Sequence, residues 1–332
     1  MLLFVMLFYS AVFVGNLVTK KGLRPEPVSA SDSLKPGDFK QKEDDFKRNI
    51  VKQPGLVTAL SYLAVIVLAA GLYLDGRLLW LLRKKIPWVP DGLPHEPVAW
   101  GVAHVAGAVV LMFFAEAVLL ILETAFFFFS GSKSVPRDFL LMFNSLFRDT
   151  VVAGTIIYVV TRKLGHRLPA LGLTLKDFSK NVLRGLAGYA AILPLLLVLL
   201  VVMGMVVNFF SYEPPPQKVI QIYLKKSSDP YLIFFTLFVA GIGPVIEEIF
   251  FRGYAYKAFR QKYGVMVAMV ITSLIFSAFH LNLAAFVPIF LLGMFLCYLY
   301  EATGSLVPSM TAHMLHNLLM VSFTLGFKSI AG

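Results

Sequence analysis

Residues 182–210 read VLRGLAGYAAILPLLLVLLVVMGMVVNFF, an almost wholly apolar run. About 20 such residues cross the hydrocarbon core of a bilayer as a helix. Eight other stretches are similarly apolar, at residues 2–18, 56–82, 98–129, 139–160, 231–251, 264–280, 284–300 and 305–326. Because lipid cannot satisfy an open sheet edge, each stretch is predicted to be helical. The sequence therefore predicts an all-α, polytopic transmembrane helical bundle of about eight spans, in a range of roughly seven to nine.

The composition of the whole chain supports this class. Apolar residues make up 58% of the 332 residues and charged residues only 15%, with a mean hydropathy of +0.76. A soluble globular chain is about half apolar and about a quarter charged. A disordered chain, a disulfide scaffold and an ordinary soluble enzyme are therefore excluded. The single cysteine, Cys297, cannot form an intrachain disulfide.

The net charge of +11 indicates contact with a bilayer surface. The basic residues lie mostly between apolar runs, as Lys20-Lys21, Arg83-Lys84-Lys85, Arg162-Lys163 and Lys225-Lys226. Basic residues in such positions meet anionic lipid headgroups. The chain has no basic stripe interleaved with aromatic residues, so nucleic acid is not predicted as a partner.

The chain divides into four parts. Residues 1–18 are predicted to be a retained hydrophobic anchor, because they lack the basic region and the clear cleavage site of a signal peptide. Residues 19–54 are the most polar part and are predicted to be a flexible linker on the membrane surface. Residues 55–180 form an N-terminal transmembrane region, and residues 181–332 form a transmembrane core. Within that core, residues 213–230 are predicted to contain a short interfacial helix.

The basic residues also predict an orientation. Segments 162–184 and 252–262 are rich in Lys and Arg, which places them in the cytoplasm. The nine Lys and Arg residues of the linker favour the cytoplasm too. Both preferences are met if residues 98–160 cross only once, or if residues 2–18 do not span.

The motif EEIFFR, at residues 247–252, places charges where a bilayer makes them costly. Glu248 and Arg252 are four residues apart on a helix, so they share a face and can form an ion pair. Glu247 lies about 100° around the helix and is free to point elsewhere. Pro244 removes a backbone donor one turn earlier and can open the helix near Glu247.

Two further polar motifs follow on separate apolar runs. FSAFH, at residues 276–280, places Phe276 and His280 on one helical face. HMLHN, at residues 313–317, does the same for His313 and Asn317. A single histidine on an apolar helix is more often a hydrogen-bonded core residue than a functional one. The three motifs together form a polar group in hydrocarbon that packing alone does not require.

In this order and at these separations, the motifs EExxxR, FxxxH and HxxxN resemble those of the type II CAAX prenyl endopeptidases. These are intramembrane proteases, also described as the CAAX protease and bacteriocin-processing family. The resemblance covers about residues 240–326, and all motif positions match.

The resemblance implies a mechanism and a substrate class. Glu247 and His280 would activate a water for attack on a peptide bond, and His313 and Asn317 would stabilise the oxyanion. Supporting roles fall to Glu248, Arg252 and Phe276. No cofactor and no metal are implied. The implied substrate is a membrane-associated peptide or protein, with or without a prenyl group, at the plasma (inner) membrane of a bacterium or archaeon.

Three alternatives stay open. Glu247, His280 and His313 could bind zinc with an open fourth position, making a zinc-dependent membrane hydrolase, although no His-Glu-x-x-His pair is present. The buried acids and histidines could carry protons in a transporter, although no internal symmetry is visible. A non-catalytic scaffold is the third, but it would not need all of the motif residues.

Overall fold

A computed structural model describes residues 36–84, 97–130, 137–211, 218–225 and 231–331. The predicted anchor at residues 1–18 lies outside these ranges. Every regular element in the described part of the chain is helical. The prediction of an all-α, helical membrane bundle is therefore confirmed.

The helices are numbered along the chain. They are α1 (Pro36–Ile50), α2 (Pro54–Arg83), α3 (Val102–Ser130), α4 (Arg137–Tyr158), α5 (Phe178–Phe209), α6 (Lys218–Lys225), α7 (Tyr231–Leu237), α8 (Gly243–Glu248), α9 (Lys257–Tyr263), α10 (Val265–Phe279), α11 (Phe286–Thr303) and α12 (Leu306–Ala331). Turns of π-helix extend α4 over Val159–Lys163, and they join α7, α8 and α9 over Phe238–Ile242 and Ile249–Tyr256. We call the resulting continuous rod, Leu232–Tyr263, the motif helix.

Six helices within the described residues are long and apolar enough to cross a membrane. They are Val102–Phe129, Phe139–Lys163, Phe178–Phe209, Leu232–Tyr263, Phe286–Thr303 and Leu306–Ala331. The predicted segment 56–82 is helix α2. The predicted segment 264–280 is the shorter helix α10, whose 15 residues reach only about 22 Å of the roughly 30 Å core. Residues 98–160 form two separate long helices, each long enough to span the bilayer. The structure therefore does not favour the option in which this segment crosses the membrane only once.

The second half of the predicted linker is an ordered helix. Helix α1 packs against the C-terminal end of α12, where the Asn49 side chain donates a hydrogen bond to the Ile330 carbonyl at 2.9 Å. The rings of Phe46 and Phe327 stack at 4.9 Å. Residues 36–50 are therefore not a flexible linker, because an aromatic and an amide contact hold them to the bundle.

Helix α6 occupies the predicted interfacial segment, but its apolar side chains contact protein. Ile222 and Tyr223 are buried in a cluster with Phe235 of α7. The Lys328 ammonium donates to the Tyr223 carbonyl at 2.8 Å, which ties α6 to the end of α12.

A short loop joins several helices at the opposite end of the bundle. Lys257 donates to the Ala170 carbonyl at 2.7 Å, and the Leu306 amide donates to the Gly172 carbonyl at 2.9 Å. Gly172 has a φ of +81°, and a Cβ there would meet the ring of Tyr300. Segments 162–184 and 252–262 therefore lie at one end of the bundle, as their shared basic character predicts.

Candidate active site

The motif helix carries a fully buried ion pair. Arg252 Nη1 donates to Glu248 Oε1 at 2.7 Å, and both side chains have zero exposure. Arg252 Nη2 also donates to the Gly293 carbonyl of α11 at 3.3 Å, and its guanidinium lies 4.4 Å from the centre of the Phe276 ring. The ion pair predicted from the spacing is present, and it joins the motif helix to α10 and α11.

His313 links the two glutamates. Its Nδ1 lies 3.0 Å from Glu248 Oε1, and its Nε2 lies 3.8 Å from Glu247 Oε2. A carboxylate oxygen can only accept, so the Nδ1 atom carries the proton that binds Glu248. His313 Nε2 therefore faces Glu247, either as a lone pair or, in the imidazolium form, as a second donor.

Glu247 differs from Glu248 in its surroundings. Its side chain is 34% exposed, whereas Glu248 is wholly enclosed. The Glu247 Oε2 atom is nevertheless buried and has no hydrogen-bond partner in the described part of the chain. Glu247 thus combines an accessible side with a carboxylate oxygen that is not committed to a structural contact.

His280 lies at the end of α10, where the short helix stops. Its Nδ1 is 2.8 Å from the Phe276 carbonyl, which can only accept, so Nδ1 carries the proton and Nε2 is left with a lone pair. The Phe276 ring contacts both histidines, with centroids 4.7 Å from His280 and 5.6 Å from His313. No carboxylate in the described ranges forms an ion pair with His280. The structure therefore joins His280 to Glu247 only indirectly, through Phe276 and His313.

Asn317 binds the backbone of the motif helix. Its Nδ2 donates to the Val239 carbonyl at 2.8 Å. The Gly243 amide bonds to Phe238 in π register, so the next donor along, at Pro244, would serve Val239. Proline has no N–H, and Asn317 supplies the missing donor. The sequence did not predict this contact, which uses one of the two N–H groups of the amide.

His316 points away from this group. Its Nδ1 lies 3.0 Å from the Tyr189 hydroxyl of α5, so it contacts a different helix from His313. This direction agrees with its rotation of about 100° from Asn317 along the helix.

Two charged residues that the sequence motifs do not include also approach the site. Arg148 and Asp149 of α4 form an ion pair at 2.8 Å, and Arg148 also pairs with Glu116 of α3 at 2.9 Å. Helix α4 packs against α8, whose last two residues are Glu247 and Glu248. The presence of Arg148 and Asp149 in an apolar run was the available signal, but the sequence alone does not say which helix α4 packs against.

The zinc alternative requires three ligands at one point. Within the described ranges, no three side chains of His, Cys, Asp or Glu are grouped so as to hold a metal ion. His313 Nδ1 is turned to Glu248 and His280 Nδ1 to a carbonyl, so only their Nε2 atoms could serve as ligands.

These features define a helical membrane protein whose last helices enclose a buried ion pair and histidine beside a half-buried glutamate, histidine and asparagine. Residues 229–319 match the family model described as type II CAAX prenyl endopeptidase Rce1-like. The resemblance is confirmed for that region, a little over a quarter of the chain. It supports a CAAX-protease-like intramembrane endopeptidase at the level of the family. No curated protein and no solved structure matched the chain.

Proposed function

We propose that this protein hydrolyses a peptide bond of a membrane-associated peptide or protein, with Glu247 and His280 activating the attacking water. The observation that carries the proposal is the position of His313. It is fixed by the buried Glu248–Arg252 pair, and its Nε2 faces the Oε2 atom of Glu247, whose side chain is 34% exposed. A fixed polar group beside an accessible base, in a site poor in water, is what general-base hydrolysis needs.

In the proposed reaction, the Glu247 carboxylate takes a proton from a water held between it and His280 Nε2. The water oxygen forms a bond to the peptide carbonyl carbon, and the carbonyl electrons move to oxygen. Collapse of this intermediate breaks the C–N bond, and the proton on Glu247 passes to the leaving nitrogen. The proton and electron count balances without a metal or a cofactor.

His313 would stabilise the oxyanion through Nε2. Because Nδ1–H is bound to Glu248, donation from Nε2 requires the imidazolium form. This form is electrostatically reasonable, since Glu247 and Glu248 carry two negative charges and Arg252 only one positive charge. With His313 protonated, the four groups are neutral together, which reduces the cost of charges at membrane depth.

Asn317 would contribute its second N–H. One N–H donates to the Val239 carbonyl, and this contact fixes the plane of the amide. The second N–H could then donate to the oxyanion without rotation of the side chain. Donors oriented before the reaction are those that stabilise a developing charge most effectively.

The substrate is proposed at the level of its class. A peptide segment in or beside the bilayer suits a site built from transmembrane helices, and a prenyl group on it is optional. The plasma membrane of a bacterium or archaeon is the proposed location.

The test is a comparison of membrane peptides from cells that carry the wild-type protein or Glu247→Ala, followed by turnover of an identified peptide by purified protein. Glu247→Ala and His280→Ala are expected to abolish cleavage while the protein still folds and inserts. His316→Ala is the matched control, because it removes a histidine of the same helix that points to Tyr189. Wild-type turnover by Glu247→Ala would exclude Glu247 as the base.

Chelation separates this mechanism from the zinc-dependent one. Turnover by purified protein is expected to survive a metal chelator at constant pH. Loss of turnover that is restored by added zinc would favour the metal mechanism instead.

A further inference from the structure

A groove runs between α3 and α4 at the end of the bundle that carries the basic segment 162–184. Its volume is about 420 Å³, which falls in the range of roughly 300–1,000 Å³ that is typical of ligand sites. Small and aliphatic residues of the two helices form most of its lining: Ala103, Gly107, Leu111, Val152, Ile156 and Val159. Tyr254 of the motif helix also lines it. We call this feature the α3–α4 groove.

The groove is open because α3 carries small side chains along it. Ala103 and Gly107 are one helical turn apart, and a Cβ added at Gly107 would meet no atom within 4 Å. Both positions are exposed, although they belong to a helix that is long and apolar enough to span the membrane. In a bilayer, the material that lies against such a helix is lipid hydrocarbon. A lipid chain is therefore the ligand that this groove would meet first.

The groove has the depth of one leaflet. Just before α3, the Ala99 amide donates to His166 of the basic segment at 3.2 Å, so the first turn of α3 lies at this end of the bundle. From Ala103 to Leu111 the lining extends about 12 Å along α3. The hydrocarbon of one leaflet is about 15 Å thick, so an acyl chain that enters from the headgroup level can lie along the whole groove.

Polar groups in the lining are confined to its mouth, apart from one hydroxyl that is already bonded. That hydroxyl, on Thr155, donates to the Val151 carbonyl of its own helix at 2.8 Å. His104 lines the groove in the first turn of α3. Its Nδ1 accepts from the Gly101 amide at 3.3 Å, so in the neutral ring Nε2 carries the proton and can donate. The groove thus has an apolar length and a hydrogen-bond donor at its mouth.

Positive charge lies at the same mouth. Arg162 and Lys163 follow Val159 by about one turn on the extension of α4, and both are exposed. The sequence from residue 150 to residue 176 contains no Asp or Glu. A phosphate at the mouth would therefore meet two cations that no carboxylate of this segment offsets, and such cations attract anionic lipid headgroups.

We propose that the α3–α4 groove binds an anionic phospholipid of the surrounding leaflet. One acyl chain lies along the groove, and the phosphate accepts from His104 and is attracted by Arg162 and Lys163. The bound chain fills the gap that the small residues of α3 leave, and it braces α3 against α4 and the motif helix. This site does not depend on the proposed hydrolysis.

The experiment uses the full-length protein in phosphatidylcholine bilayers that contain a small fraction of phosphatidylglycerol with a photoreactive diazirine on one acyl chain. After irradiation, mass spectrometry locates the adducts. Labelling of residues 103–111 and 152–159 is expected to saturate as the probe fraction rises and to fall when unlabelled phosphatidylglycerol is added. The exposed face of α5 at Val198, Val201 and Met205 is the internal reference, where labelling is expected to rise in proportion to the probe fraction.

A pair of glycine variants tests the groove itself. Gly107→Leu places a side chain in the open space and is expected to weaken groove labelling by roughly tenfold or more, because the expulsion of two methylene groups alone has that effect. Gly154→Leu is the matched control, since Gly154 is an exposed glycine of α4 with open space around it, outside the groove lining. It is expected to label as the wild type does. If Gly107→Leu does not fold, Ala103→Leu fills the same groove and takes its place.

A pair of charge variants tests the headgroup. A phosphatidylcholine probe with the same diazirine chain is expected to label the wild-type groove less than the phosphatidylglycerol probe. Arg162→Gln/Lys163→Gln is expected to remove this preference. Lys176→Gln/Lys180→Gln makes the same change of charge on exposed residues of the same basic segment and is expected to keep it.

The pattern of labelling decides the proposal. Groove labelling that does not saturate, equal losses in Gly107→Leu and Gly154→Leu, or equal labelling of the wild type by the two probes would each overturn it. Displacement of the probe by a lipid-modified peptide, but not by unlabelled phosphatidylglycerol, would assign the groove to a substrate instead. Turnover by Glu247→Ala bears only on the proposed hydrolysis and leaves every one of these outcomes unchanged.

Discussion

At the scale of single residues, the adjacent Glu247 and Glu248 differ in their surroundings and in the roles proposed for them. Glu248 has no exposure and binds both Arg252 and His313. Removing one partner of a buried ion pair leaves the other charge uncompensated, which typically costs about 3–5 kcal/mol.

We therefore expect Glu248→Ala to lower the folded yield and the thermal stability strongly. Glu43→Ala breaks an exposed ion pair with Lys47 on helix α1, outside the six long apolar helices, and is expected to leave the thermal stability nearly unchanged. Thermal unfolding of both variants in the same detergent checks this difference. Equal losses would mean that the Glu248–Arg252 pair is not the structural anchor.

The contact between Asn317 and Val239 permits a separation of structural and catalytic effects. Pro244→Ala restores an N–H that can bind the Val239 carbonyl, which would relieve Asn317 of its structural contact. Asn317→Ala alone is expected to lose stability and to lose about 10²–10³ in rate, the typical effect of one oxyanion donor.

In the double variant Pro244→Ala/Asn317→Ala, we expect the stability to recover relative to Asn317→Ala. We expect the rate of hydrolysis to stay as low as in Asn317→Ala. Turnover per folded molecule and the unfolding temperature are measured on all three variants. Recovery of both quantities in the double variant would show that Asn317 acts only on the backbone of the motif helix.

At the scale of elements, the sequence pattern predicted contacts between residues of the same helix. It did not predict contacts between helices, which depend on the tertiary structure. The spacing of Glu248 and Arg252 was sufficient to predict their ion pair. The contact of His313 with Glu248 joins residues 65 positions apart, and no local pattern contains that information. For the same reason, the sequence shows the charge of Asp149 but does not show that α4 packs against α8. The ordered helix α1 was missed because polarity suggests a linker, whereas Phe46 finds a ring on α12.

The loop before α5 offers a prediction at this scale. Gly165 and Gly172 both have positive φ, of +71° and +81°, but only Gly172 faces a buried ring, that of Tyr300. Gly165→Ala is expected to cost about 1–2 kcal/mol from the backbone alone. Gly172→Ala adds a clash at the loop that holds α9 and α12, so it is expected to lower the unfolding temperature further. Similar unfolding temperatures for the two variants would show that this loop does not brace the bundle.

At the scale of the whole molecule, the ends of α12 determine which basic groups can share a side of the membrane. Its 26 residues reach about 39 Å, with the Leu306 end on the loop at Gly172 and the other end against α1. The linker helix and the basic segments 162–184 and 252–262 therefore lie at opposite faces. The positive-inside preference can be met by only one of them, and the core carries the basic residues that directly flank spans.

We therefore predict that the loop end of the bundle is cytoplasmic. In Lys176→Cys and Lys257→Cys, the cysteine is expected to react with an impermeant thiol reagent only when the reagent is given access to the cytoplasmic side. In Lys52→Cys, it is expected to react only from outside. The native Cys297 is buried, so it contributes little background labelling. If the cysteines at positions 176 and 257 react from outside and the one at position 52 reacts from inside, the orientation is the reverse of the one predicted and the fold is unchanged. Labelling of all three positions from the same side would contradict the packing of α1 on α12, because a helix of that length cannot place both of its ends at one face.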